Sequence, residues 1–177
     1  MQALTGEQAS FLLQNILPAL KNEYRTTKAV IQAIPAEKGE YRPDPCARSA
    51  MELARHIAVA ENRFLETVLT GVFDVQAAAL PESVKTPAEL AAWYAERFEK
   101  NLEALSKAST EQLTKIVDFR GMFQRPAVMF LQLAMVHTVH HRGQLSTYLR
   151  PMGAKVPAIY GESYDSAQAK QAVQSAR

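Results

Sequence analysis

The amino-acid sequence predicts an all-α protein, a four-helix bundle with long crossover connections. Four long segments carry apolar residues at helical spacing, most of them begin with a capping pattern, and the connectors reach about a dozen residues or more. No internal repeat or convincing strand pair competes with this interpretation. A chain of 177 residues normally forms one domain, and we assign the bundle to residues 1–157 and a polar C-terminal tail to residues 158–177.

The first two helices have readable ends. The first is expected from Thr5, where the stretch TGEQ forms a capping box, to about Ile34. Pro18 lies inside it and, because proline lacks a backbone N–H, is expected to kink or split the helix. The second helix begins after Ser49, in the capping box SAME, and is expected to end at Gly71.

The third and last long helices are separated by an irregular region. The third begins at Thr86, in the stretch TPAE, and is ended by SKAST at residues 106–110. Residues 115–124 alternate poorly and contain a glycine, which indicates a loop holding at most a short extended piece. Pro126 is then expected to start the last helix, which runs to about Arg150 before Pro151 and Gly153.

Composition narrows the class of protein. The net charge of +2 comes from scattered Lys and Arg, so no basic stripe predicts nucleic-acid binding. Apolar stretches are too short for a membrane span, and the N-terminus lacks the pattern of a signal peptide. Cys46 is the single cysteine and cannot form an intramolecular disulfide. We therefore expect a cytoplasmic protein with no nucleic-acid or membrane partner.

Three of the four histidines fall in the stretch HTVHHRGQLSTYLR, residues 137–150. His137 and His141 are four positions apart and so lie within ~40° of each other on a helix. His140 lies ~60° to the other side of His137. The helical wheel predicts that the pair faces the bundle interior, surrounded by Phe130, Leu133, Ala134, Gln144 and Tyr148.

A metal site is one of two interpretations of this pair. A lone histidine on an apolar face is usually a neutral core residue bonded to a carbonyl group. Two buried imidazoles without partners are energetically costly, however, and a metal relieves that cost by binding one nitrogen of each ring. The spacing of His137 and His141 matches that of zinc-binding H-E-x-x-H helices. His56 is the only histidine left as a third donor; it has a boundary position on its helix, where a plain surface histidine is equally expected.

The second and last helices together resemble the DinB family of bacterial damage-inducible proteins. The resemblance is carried by ELARHIAVAENRFL and by HTVHHRGQLSTYLRPMGAKVP, which contains H-x-x-x-H-R-G-Q-L followed by YLR, a glycine and VP. It implies a four-helix bundle with a crossover, holding a divalent metal through His56, His137 and His141, with His140 as a neighbour that is not a ligand. It also implies a homodimer, and some relatives are transferases or isomerases that use small thiols.

Other residues of the last helix are weaker candidates. Gln144 and Tyr148 point toward the histidine pair and could hydrogen-bond a ligand imidazole or a substrate, although ordinary packing is as good an explanation. Arg142 and Arg150 lie off this face, so we expect them in solvent or at a contact with a second copy. The sequence identifies no catalytic proton carrier, and it contains no serine-hydrolase or nucleotide-binding motif.

Two functional hypotheses follow. In the first, one divalent ion (Zn, Ni, Mn or Fe) held by three imidazoles serves a thiol S-transferase or a hydrolase acting on a small thiol or another small molecule. In the second, the protein is a non-catalytic, dimeric helical bundle of a stress response, and its metal is structural or sensory.

Overall fold

The structure is a computed structural model and describes residues 4–175. Within that range the chain forms six α-helices and one two-stranded hairpin. No helix in this part of the chain is long and apolar enough to cross a membrane. The elements are, in order, α1 (Gly6–Gln32), α2 (Ala50–Thr70), α3 (Pro87–Leu105), α4 (Thr110–Thr114), β1 (Ile116–Asp118), β2 (Gln124–Pro126), α5 (Met129–Leu149) and α6 (Tyr164–Ser175), with a short 3-10 turn at Ala36–Lys38.

The four long helices form the bundle, and the all-α prediction is confirmed. Side-by-side packing joins α1 to α3, α3 to α2, α2 to α5, and α5 to α1. Helices α1 and α2 are therefore diagonal neighbours, as are α3 and α5. The connections at residues 33–49 and 106–128 consequently cross an end of the bundle. Glu61 and Glu66 of α2 contact Tyr94 and Arg97 of α3 in the same order, so these two helices are parallel, and residues 71–86 form the predicted crossover along the bundle.

The predicted starts of the first three long helices are confirmed by side-chain caps. Thr5, Ser49 and Thr86 each accept a hydrogen bond from the backbone N–H three residues on, and each capping box is complete. Gly71 ends α2 in the left-handed conformation, with φ of 69°. Helix α1 stays continuous through Pro18, so the expected split does not occur.

The region between α3 and α5 differs from the prediction. Residues 115–124 were expected to be a loop with at most a short extended piece, and two short strands occur there: Ile116–Asp118 and Gln124–Pro126 pair as an antiparallel hairpin. Pro126 ends β2, where no N–H is required of it, and does not start the helix. The next two backbone N–H groups, of Ala127 and Val128, donate to carbonyl groups at Lys115 and Leu113, so α5 begins only at Met129.

The C-terminal tail is ordered along the bundle and contains α6, which the sequence analysis did not predict. Asp165 accepts hydrogen bonds from the Arg150 guanidinium at 2.8 Å and from the backbone N–H of Val156 at 2.8 Å. Tyr160 reaches back to Arg142 on α5. No residue of α6 is buried, so this helix is held mainly by polar contacts, whereas Ile159 before it packs against the core.

Candidate metal centre

Three histidine side chains meet between α2 and α5. The Nε2 atom of His56 lies 3.0 Å from that of His137 and 3.2 Å from that of His141. One ligand atom from each ring lies within 4.8 Å of the others, so the three residues can hold a metal ion. The structure thus brings together the three histidines singled out in the sequence.

Two antiparallel helices position the three rings. His56 lies in the N-terminal third of α2 and faces His137 and His141, which are one turn apart on α5. Two turns further along α2, Phe64 lies against Phe130, which is two turns back along α5; their ring centroids are 6.4 Å apart. Because His137 and His141 already lie on the same face of α5, one ring from the facing helix is enough to complete a triad.

The buried face of α5 in the structure is not the face that the helical wheel predicted. The histidines were expected on the interior stripe, but His137 and His141 are half-buried at its edge, and His140 is exposed. Two polar residues, Thr138 and Arg142, lie on the buried face in place of the histidines. The buried residues of this helix are Phe130, Leu131, Ala134, Thr138, Arg142, Leu145 and Leu149.

Arg142 was expected in solvent and is instead buried, with 1% of its side chain exposed. It forms an ion pair with Glu23 on α1 and donates to the hydroxyl oxygen of Thr27 at 3.3 Å. It also donates to the hydroxyl of Tyr160 at 2.6 Å, and that hydroxyl donates to the Glu23 carboxylate at 2.8 Å. The expectation failed because the ion-pair partner of Arg142 lies in another helix, far away in the chain, and the sequence around Arg142 does not indicate it. Arg150 is exposed, as expected.

A second buried polar group, Glu61, was also missed by the sequence analysis. It lies on α2, accepts a hydrogen bond from the hydroxyl of Tyr94, and is fully buried. Burial raises the pKa of its carboxyl to about 7, and the hydrogen bond from Tyr94 opposes that shift. A single glutamate within a helical sequence pattern does not indicate that its side chain is buried.

The three imidazoles are neutral near pH 7. Burial, the largest cause, lowers the pKa of His56 and of His137 to about 4, and it also lowers the pKa of His141. The positive charge of Arg48 lowers all three pKa values further. Neutral imidazole is the form that binds metals, so few protons compete for these nitrogens.

The outer ring nitrogens differ between the two histidines of α5. The Nδ1–H of His141 donates to the side-chain oxygen of Gln144 at 2.7 Å, which leaves Nε2 of His141 free as an acceptor. Nδ1 of His137 is buried and has no hydrogen-bond partner in the described structure. Tyr148 makes no hydrogen bond to a histidine among the described residues; its ring lies edge-on to Tyr41, with centroids 5.9 Å apart.

The donor set fits a divalent transition metal. Two nitrogens that are each ~2.1 Å from one ion lie about 3.0 to 3.4 Å apart at octahedral or tetrahedral angles, and the separations of 3.0 and 3.2 Å fall in that range. Between residues 4 and 175, no carboxylate or thiol joins the three histidines. A metal bound here would keep positions open to solvent or substrate.

Known proteins are similar to this chain in sequence and in fold. The family model described as "DinB family" matches residues 8–174. Protein YjoA of Bacillus subtilis is 31% identical over 129 residues, which cover 72% of this chain and 82% of YjoA. The crystal structure of YjoA, a DinB-like protein, superposes with a TM-score of 0.70 and 26% identity, covering 84% of this chain and 99% of that one. A DinB-like protein from Bacillus cereus gives 0.70 and 25%, covering 83% and 97%. This chain belongs to the DinB family.

Proposed function

We propose that this protein is a metal-dependent enzyme that transfers a small thiol to an electrophilic substrate, with His56, His137 and His141 as ligands of one Zn, Ni, Mn or Fe ion. The observation that carries the proposal is the convergence of three neutral Nε2 atoms with no fourth protein donor among the described residues. Structural zinc sites usually have four protein ligands, whereas catalytic sites have three and an open position.

The side chains have distinct tasks in this proposal. A bound divalent ion supplies Lewis acidity, which lowers the pKa of a thiol or a water at the open position. The three imidazoles hold the geometry, and Gln144 fixes the orientation and tautomer of His141 through the 2.7 Å hydrogen bond. In the transfer, the thiol loses its proton to solvent, its sulfur forms a bond to the electrophilic carbon, and the leaving group departs with the electron pair.

Thiol transfer is favoured over hydrolysis by the surroundings of the triad. In hydrolytic zinc sites of the H-E-x-x-H type, a glutamate acts as general base on water. No acidic side chain joins the three histidines in the described part of this chain. A thiol ionises near pH 8.5 even without help and so depends less on a base than water does.

The test compares metal-loaded with metal-free protein. Thermal unfolding is measured with a panel of low-molecular-weight thiols, and turnover is measured with the same thiols and an electrophile such as 1-chloro-2,4-dinitrobenzene. The enzyme hypothesis expects thiol stabilisation and turnover only in the metal-loaded protein. If metal is bound but no thiol stabilises the protein and none is consumed, the alternative holds, namely a non-catalytic stress-response bundle with a structural or sensory metal.

We propose the reducing cytoplasm as the compartment. Cys46, the single cysteine of the sequence, is exposed and free. A free exposed thiol and a thiol substrate both persist in reduced form in a reducing compartment and are oxidised elsewhere.

We also propose a homodimer, formed through the outer faces of α1 and α5. Residues 8–20 and 126–141 contain no Asp, Glu, Lys or Arg. Phe11 and Val136 are 65% and 51% exposed there, and a groove of about 340 Å³ runs between the two helices. Depletion of charge together with exposed aromatic residues and methionines is typical of interface centres.

A second copy is the occupant that fits this face. An uncharged surface can pair with itself about a twofold axis without burying charge, and it offers no basic groups to an acidic partner. Two helices of ~30 Å side by side present a face of roughly 600 Å² in projection. That is close to the ~800 Å² of accessible surface that each partner contributes to a standard interface.

A further inference from the structure

A separate cavity lies between α2, α3 and the crossover at residues 71–86. The four histidines, all in the described part of the chain, do not line it. Its volume of about 470 Å³ is within the range of small-molecule sites. The apolar part of its lining is formed by Leu69, Val72 and Ala77. The rest is mainly polar and carries charges of both signs, on Glu66, Asp74, Arg97, Lys100 and Asn101.

The amide of Asn101 lines this cavity in a fixed orientation, and the residue is only 6% exposed. Its Nδ2 donates to Oδ1 of Asn62 at 3.0 Å and to Oε1 of Glu66 at 3.4 Å. Asn62 is fully buried and donates its own Nδ2 to the carbonyl of Ala58 at 2.9 Å, so its oxygen faces Asn101. Both amide hydrogens of Asn101 are therefore engaged, and its Oδ1 is an acceptor to which no described residue donates.

The charged side chains of the cavity also have unused donors and acceptors. Arg97 donates through Nε to Oε1 of Glu66 at 2.7 Å, so its terminal amino groups and Oε2 of Glu66 have no described partner. Asp74 and Lys100 are exposed and form no ion pair with any described residue. The formal charges of these four side chains cancel, while groups of both signs stay available to a ligand.

The crossover part of the lining is held in place by its own hydrogen bonds. The Nε–H of Arg63 on α2 donates to the carbonyl of Ala77 at 3.2 Å. Oδ1 of Asp74 accepts the backbone N–H of Gln76 at 2.8 Å, and Oδ2 of Asp74 has no described partner. The cavity is therefore formed before a ligand enters it, as most small-molecule sites are.

We propose that this cavity binds a small α-amino acid with an apolar side chain. The ammonium group of the ligand has three N–H donors, which match the free oxygens of Asn101, Glu66 and Asp74. Its carboxylate pairs with Lys100 and with the terminal amino groups of Arg97 through charge-assisted hydrogen bonds. Its side chain lies on the apolar part of the lining. A zwitterion keeps the cavity neutral, whereas a ligand with a single charge leaves protein charges of one sign without partners.

The test is calorimetric titration of the protein with L-valine, L-leucine and L-methionine. The amino acid that binds most tightly is then compared with the amine that lacks its carboxylate and with the carboxylic acid that lacks its ammonium group, both of which are expected to bind about tenfold more weakly or not at all. Lys100→Gln and Asp74→Asn should each weaken the amino acid about tenfold, because each removes one charged partner. Asparagine at position 74 keeps an oxygen for the N–H of Gln76, so the crossover stays anchored.

Three matched variants serve as controls and should not change the affinity. Lys21→Gln alters an exposed lysine of α1 that forms no ion pair with a described residue. Asp118→Asn alters an exposed aspartate that, like Asp74, accepts a nearby backbone N–H, that of Gly121. His137→Ala removes a histidine of the triad, where an amino acid could otherwise chelate a metal ion.

The outcomes separate the cavity from other sites. The proposal is wrong if none of the three amino acids binds, or if either Lys100→Gln or Asp74→Asn leaves the affinity unchanged. It is also wrong if an analogue with one charge binds as tightly as the amino acid. Loss of binding in His137→Ala would place the amino acid at the metal centre and would equally overturn the proposal.

Discussion

The Nε2 atom of His56 lies 3.0 Å from the Nε2 atom of His137, although 81 positions separate the two residues in the chain. Both rings are neutral near pH 7, so the contact is a shared hydrogen bond or a pair of lone pairs facing one cation. His141 reaches the same point with its own ring. A divalent cation between the three rings would bind all three lone pairs.

Removal of either α5 histidine is expected to abolish metal binding. His137→Ala or His141→Ala leaves two imidazoles, which hold a divalent ion far more weakly than three do. His140→Ala is the matched control, because His140 is exposed on the same turn and is not one of the converging residues. Element analysis of protein without an affinity His-tag should give about one metal per chain for the control and none for the two variants. Full metal retention in both variants would show that His137 and His141 are not metal ligands.

Local sequence patterns predicted the fold well. The capping boxes at Thr5, Ser49 and Thr86 involve groups three residues apart, so the sequence alone contains the whole interaction. The i, i+4 pair on α5 is local in the same sense. The third histidine came from the family resemblance, because a helical wheel placed His56 only at a boundary, where it indeed lies.

The failures involve contacts between distant parts of the chain. Arg142 is buried because Glu23, 119 positions earlier, neutralises it, and no pattern near Arg142 indicates that partner. Because Arg142 is buried, the interior face of α5 is centred nearer to Thr138 than the helical wheel predicted. The histidines therefore lie at the edge of the core. Pro126 was mistaken for a helix start because a proline ending a strand and one beginning a helix look alike in sequence.

Gln144 is expected to strengthen metal binding without being a ligand. Its side-chain oxygen accepts the Nδ1–H of His141, which fixes the tautomer that presents Nε2 to the metal. Gln144→Leu should lower the affinity for Zn²⁺ about tenfold or more in competition with a chelator. Tyr148→Phe is the control and should change nothing, since Tyr148 bonds no histidine among the described residues. Equal effects of the two variants would contradict the assigned role of Gln144.

Metal binding is expected to tolerate mild acid. The pKa values of His56 and His137 are lowered to about 4, and that of His141 is also lowered from its ordinary value, so the folded rings gain protons at a lower pH than a free histidine does. Zn²⁺ affinity should therefore begin to fall only below the ordinary histidine pKa of 6.5 and be lost near pH 4, as measured by calorimetric titration. A decline that starts near the ordinary histidine pKa of 6.5 would refute the lowered values.

The same shifts make the metal-free protein sensitive to acid. Between the unfolded pKa of 6.5 and the folded pKa of about 4, the unfolded chain binds protons that the folded chain does not. This contribution to stability is complete above pH 6.5 and is lost as the pH falls toward 4. Glu61, whose pKa is raised to about 7, acts in the opposite direction, so Glu61→Gln should steepen the acid destabilisation seen in urea unfolding.

The outer face of α1 and α5 is expected to control the oligomeric state. Val136→Glu puts a charge in the centre of the uncharged face and should convert a dimer to a monomer, because two like charges would meet across a twofold axis. Val173→Glu alters a valine of similar exposure on α6, 59% against 51%, and should leave the dimer intact. Light scattering coupled to gel filtration gives the mass of each. A monomeric unmodified protein would rule the dimer out.

Arg142 is expected to stabilise the fold more than Arg150, the arginine that directly follows α5. Arg142→Ala leaves the Glu23 carboxylate, whose side chain is 16% exposed, without its partner and should lower the free energy of unfolding by about 3 kcal/mol. Arg150→Ala removes an ion pair to Asp165 from a more exposed arginine, 54% against 1%, and should lower it by about 1 kcal/mol or less. Urea unfolding of both variants measures the difference. A loss of about 1 kcal/mol or less for Arg142→Ala would mean that the network of Glu23, Arg142 and Tyr160 is dispensable, and that α5 is held against α1 mainly by its apolar residues.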